Sequence, residues 1–158
     1  AGITDLTMNA GGDILVSNNA TDEIDWRIAI SKPVSIASAE AGTLTVVDLK
    51  GTRFRAVASS GTAERGTHIW NPKNPDDLPD EVAQVTVIAD DLVKADVWAT
   101  AAFAMGTRAV SILNEFNRKN LDSHIQLLVV LKPEPGAAPD AMPGLLATDG
   151  FELLFAKT

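Results

Sequence analysis

Between Gln84 and Gly106 the hydrophobic period changes once, and that change limits what the chain can build. "QVTVIA", residues 84–89, is short and rich in β-branched residues, which suits a strand inside a sheet. Asp90 and Asp91 follow, and a carboxylate there can accept a free backbone N–H at the start of a helix. From Lys94 to Met105 the apolar residues then recur at helical spacing, until Gly106 breaks or bends the helix; a second helix is predicted from Arg108 to Phe116. "HIQLLVVL", residues 124–131, reads as a buried strand. Strands and helices are grouped rather than strictly alternating, which makes the class α+β.

Shorter β-rich runs precede this unit. "DLTMNA" and "DILVS" flank a glycine pair, and in "DWRIAI" Trp26, Ile28 and Ile30 alternate with polar or small residues. "TLTVVDL" and "TRFRAVASS", separated by "KG", read as a hairpin with Phe54 and Val57 approaching the core. Residues 61–79 are rich in Gly, Pro, Asn and Asp and read as loop, and "KPEPGAAPDAMPG" as a surface excursion. "GLLATDGFELLFA" is expected to finish the chain as two short strands around Asp149 and Gly150. With 46% hydrophobic residues in 158, residues 1–158 suffice for a single domain with a core.

Composition excludes several classes of function. Lys and Arg number 13 against 21 Asp and Glu, and the basic residues form no stripe, so nucleic acid is not an expected partner. The absence of Cys removes disulfides, thiolate metal sites and cysteine nucleophiles. No apolar run reaches the ~18 residues that a membrane span needs, and the first residues do not form a signal peptide.

Three stretches combine polar side chains with a flexible backbone. In "NAGGD", residues 9–13, paired glycines allow close approach of a ligand and Asp13 offers an acceptor, although such a pair also serves as an ordinary turn. "SSGTAERGTHIWNP", residues 59–72, gathers hydroxyls, Glu64, Arg65 and His68 after a strand. The imidazole of His68 could take a proton from a hydroxyl nucleophile or sit unused on a surface loop; His124 reads as structural. Asp96 and Thr100 lie one helical turn apart, an oxygen-donor patch suited to magnesium but equally to solvent or to a helix start.

In this order, "NAGGDI", "SGTAERGTHIWNP" and "VTVIADDLVKADVWATAAFAMG" resemble the C-terminal half of the ApbE family, the FAD:protein FMN transferases. The likeness runs from about residue 3 to 110 and continues more loosely beyond. It implies a T-fold-like half with a mixed, mostly antiparallel sheet and packed helices. It also implies FAD as substrate, Mg2+ held by Asp96 and Thr100, and His68 as the base. Gly12, Asp13, Ser60, Gly61, Thr62, Arg65, His68 and Ile69 would line the flavin pocket. The reaction implied attaches FMN through a phosphoester to a Thr or Ser of a target flavoprotein and releases AMP. FAD hydrolysis, or a non-catalytic flavin-binding half-module, are the alternatives.

The family's N-terminal half, which supplies adenine and ribose contacts, has no counterpart in the 158 residues. The resemblance therefore implies that the site is completed by such a half or by a second copy. It implies an extracytoplasmic setting, periplasmic or membrane-anchored, with a cytoplasmic one as the alternative.

Overall fold

The computed structural model describes residues 5–17, 24–33, 42–61, 69–76, 78–122, 124–134, 136–138 and 141–156. In chain order the elements are β1 (Thr7–Ala10), β2 (Asp13–Val16), β3 (Arg27–Ser31), β4 (Thr43–Asp48), β5 (Ala56–Gly61) and β6 (Val82–Ala89). They continue with α1 (Leu92–Met105), α2 (Arg108–Lys119), β7 (Gln126–Leu131), β8 (Leu145–Ala147) and a 3-10 turn, Phe151–Leu154. Six strands form one sheet in the order β1-β2-β5-β6-β7-β8, and β3 pairs with β4 alone. Every pairing between these strands is antiparallel.

The pleat assigns alternate residues to opposite faces of the sheet and so builds three layers. Ala56 and Ala58 of β5, Val85, Val87 and Ala89 of β6, and Leu127 and Val129 of β7 pack in one cluster with α1 and α2. Val57, Ile88 and Leu128, their neighbours along the same strands, join Ile28, Ile30, Val47, Leu49, Phe54, Phe151 and Leu154 in a second cluster. The β3–β4 hairpin and the 3-10 turn thus cover the face opposite the helices. Each large side chain buried in these layers contributes about 1.5–3 kcal/mol.

α1 follows from its sequence. Asp91 caps it, accepting the Lys94 backbone N–H at 3.0 Å, so the helix starts two residues earlier than the apolar spacing indicates. Ala95, Ala99 and Ala102 form most of the buried stripe, and their small side chains let the helix lie close to β5 and β6. Gly106 ends it with φ of 63°, and a Cβ there would meet Glu81 Oε1 at 2.8 Å. α2 is fastened to the entry of β7 by Asn117, whose side chain accepts from Ile125 N and donates to Ile125 O.

Two expectations are corrected. The runs 43–49 and 52–60 are not a hairpin: β4 pairs with β3, whereas β5 pairs with β2 and β6. After Gly51 turns at φ 69°, Phe54 drops into the core between the layers and Arg55 N bonds to Ala89 O, so the chain changes layer instead of returning beside β4. The last apolar run is not a second strand either. Gly150, with φ 88°, starts a 3-10 turn that buries Phe151 and Leu154 three residues apart, and only Phe155 bridges to Val47. No described helix is long and apolar enough to cross a membrane.

Candidate functional site

β5 loses β2 as its partner on one side before it ends, while β6 follows it to Gly61, and a cleft opens on the unpaired side. β2 and β5 pair only at Ile14 with Val57 and at Leu15 with Ala56. Beyond them the Ser59 N–H is taken by a side chain, Asp13 Oδ1, at 3.2 Å. The β1–β2 connection is a two-residue turn in which Gly11 and Gly12 both have positive φ, 67° and 106°, a conformation that favours glycine. The Gly12 N–H is donated to Asn9 Oδ1 at 3.0 Å, so this amide serves the turn itself.

The cleft, about 780 Å³, lies between the end of β5 and the β3 wall. Gly12, Ser60, Gly61, Ile69 and Thr100 all line it, so five of the residues singled out in the sequence converge on one recess. Gly61 is required where β5 passes β6, because a Cβ would sit 2.9 Å from Ala83 O. On the helix side, Ser60 Oγ and Thr100 Oγ1 share a hydrogen bond of 3.2 Å. On the hairpin side the floor is polar: Ser59 Oγ and Thr86 Oγ1 are 2.8 Å apart, and Gln84 Nε2 donates to Thr86 Oγ1 and to Ser31 O.

Asp96 is exposed on α1, one turn before Thr100, beside the buried stripe rather than within it. Asp13 faces the same side. Burial raises the Asp13 carboxyl above the usual carboxylate range, the Ser59 amide opposes that, and the charge of Asp96 raises it further. Neither carboxylate is among the residues that line the cleft, although Asp13 bonds to Ser59 and Asp96 precedes Thr100 by one helical turn. Among the described residues no cluster of three or more acidic or histidine side chains forms. Two carboxylates with hydroxyls are nonetheless a hard-oxygen donor set that suits a divalent cation completed by water and phosphate.

Thr62, Arg65 and His68 lie outside the described residues. Sequence reasoning missed the β3 wall, the Ser59–Thr86–Gln84 chain and Trp70, which is 53% exposed and lines the cleft. Thr86 in the middle of an apolar strand was the available signal: a fully buried hydroxyl needs a partner, and Ser59 and Gln84 supply it.

The family profile described as the ApbE family matches residues 1–124. The FAD:protein FMN transferase of Klebsiella pneumoniae (strain 342) is 33% identical over 90 residues, covering 52% of this chain and 27% of that protein. The protein of the same name from Vibrio cholerae serotype O1 is 27% identical over 143 residues, covering 85% of this chain and 39% of the relative. The crystal structure of the ApbE protein from Thermotoga maritima superimposes with a TM-score of 0.67 at 25% identity, covering 97% of this chain and 45% of that one. The chain thus spans less than half the length of each of these relatives.

Proposed function

Since the chain belongs to the ApbE family, we propose that its cleft binds FAD and serves magnesium-dependent transfer of FMN to a Thr or Ser hydroxyl of a target flavoprotein. One observation carries the reading: the Gly12 turn, the Ser60–Gly61 strand end, Ile69 and the helical Thr100, distant in sequence, line a single cleft. The names of the relatives supply the reaction class.

Asp96 and Thr100 would hold Mg2+, with Asp13 adding negative charge beside them. When bound, the ion supplies charge neutralisation at the pyrophosphate. The Ser60 hydroxyl orients Thr100 through their shared hydrogen bond, and the Asp13 carboxylate fixes the Ser59 amide, so the edge of the strand that β2 leaves keeps its shape. The acceptor oxygen attacks the phosphorus of the FMN half, its bond to the AMP phosphate breaks, and AMP departs with the electron pair. His68, between Gly61 and Ile69 in the sequence, would take the proton from the acceptor hydroxyl. Because the chain spans 27% and 39% of the two curated relatives, residues of a further half or a second copy would complete the grip on the adenosine end.

The test incubates the protein with FAD, Mg2+ and an acceptor protein bearing a reactive Thr, following AMP release and covalent flavin fluorescence on the acceptor. Labelling matched by AMP release is expected once the N-terminal half of a relative is supplied in trans, with little from the 158 residues alone. FAD split to FMN and AMP without labelling would replace transfer by hydrolysis, and FAD left unchanged even with that half supplied would remove the enzymatic reading.

A further inference from the structure

The β3 wall of the cleft carries a charge that no motif flagged. Ile28 and Ile30 face the six-stranded sheet, and the alternation carries Lys32 to the same side. The register irregularity beside Ser31 leaves this intact, because Ile30 pairs with Thr45 and Ser31 with Thr43, so the extra residue, Leu44, belongs to β4. Lys32 N donates to Gly42 O at 2.7 Å and continues the ladder one residue past the strand. Gly42 lies under the lysine stem: a Cβ there would be 3.8 Å from Lys32 Cδ. Buried Pro33 then ends the wall.

Among the described residues lining the cleft, Lys32 alone is charged. Its neighbours are aliphatic or aromatic side chains, glycines, hydroxyls and the Gln84 amide. No carboxylate among the described residues pairs with it, although acidic groups outnumber basic ones 21 to 13 in the chain. A half-buried lysine beside apolar walls gains most from an anion that enters the same recess, and a phosphate offers several acceptor oxygens.

We infer that Lys32 contacts the ligand's phosphate and makes the cleft select flavin nucleotides over uncharged riboflavin. The inference rests on the flavin reading above and adds to it the group that distinguishes one flavin from another. Trp70, lining the same cleft, offers an aromatic face for the ring system that all flavins share.

FMN and riboflavin differ by one phosphate, and titrating each into the 158-residue chain by calorimetry isolates its contribution. The wild type should bind FMN about tenfold or more tightly than riboflavin, a gap that narrows at about 0.5 M salt. Lys32→Met should close the gap by weakening FMN alone, and Lys32→Arg should keep most of it; circular dichroism checks that both variants fold. Equal weakening of FMN and riboflavin in Lys32→Met would move the contact to the flavin ring and overturn the proposal, as would a gap that survives the substitution. Binding of neither flavin to the wild type would remove the flavin reading itself, and this inference with it.

Discussion

The two ends of β5 and β6 carry acidic groups under opposite conditions. At the Ala89 end, Asp90 is met by Lys94 at 2.5 Å and by Arg53 at 3.9 Å. The Lys94 hydrogen bond, helped by the charges of Lys94 and Arg53, holds its carboxyl below the usual range despite some burial. At the cleft end, Asp13 stands near a second carboxylate, Asp96, and its carboxyl is held above that range. The faces differ in the same direction. Ile88 and Val57 at the closed end give way, two residues along each strand, to Thr86 and Ser59, and then to Gln84 and Gly61. One end is arranged for stability, whereas the other keeps like charges together and leaves its floor polar, an arrangement that favours a bound cation and ligand.

The largest expected break in this contrast comes from Asp96→Ala. It should weaken the apparent Mg2+ affinity of FAD binding by about 10²-fold or more, while the unfolding free energy moves by less than about 0.5 kcal/mol because the side chain is exposed. Titration of Mg2+ at fixed FAD, with urea unfolding in parallel, measures both. Thr86→Val is next. It strips the fully buried partner from Ser59 and Gln84 and should cost about 1 kcal/mol of stability, with FAD affinity reduced through the disturbed cleft floor.

The smallest effect is the most diagnostic, because its sign reverses between the two ends. The folded-state carboxyl of Asp13 is raised, so the native protein binds more protons there than the unfolded chain, and stability from this group falls as pH rises from about 3.8 through the raised value. Ionised Asp13 therefore opposes folding at neutral pH, and Asp13→Asn should raise the metal-free melting temperature there. The Asp90 carboxyl is lowered, so its contribution is present above about 3.8 and is lost as pH falls through the lowered value. Asp90→Asn should lower the melting temperature at neutral pH, by the modest amount expected of a partly exposed, salt-screened pair. Melting curves of both variants from acid to neutral pH should diverge in opposite directions from the wild type.

Periodicity made β6, α1, α2 and β7 legible, because a buried strand and an amphipathic or apolar helix each impose a repeat on the side chains. The layer change after Gly51 was not legible. It depends on Phe54 finding space between a hairpin and a sheet, a tertiary fact that no local pattern records. The terminal turn was missed for a related reason: Phe151 and Leu154 are apolar in either conformation, and only the left-handed Gly150 selects the 3-10 path. In the site, Gly12, Ser60, Gly61, Ile69 and Thr100 were identifiable as motif members. Lys32 and Gln84 were not, because one follows β3 and the other lies in β6, and neither stretch shows more than an ordinary strand pattern.

FAD binding to this chain, measured by calorimetry with Mg2+ and again with EDTA, for the wild type and Asp96→Ala, decides whether the cleft is a metal-dependent flavin site. Binding to the wild type should depend on Mg2+ and should be lost, with the fold intact by circular dichroism, in Asp96→Ala. Absence of FAD binding, or equal binding in EDTA and in the variant, would contradict that reading.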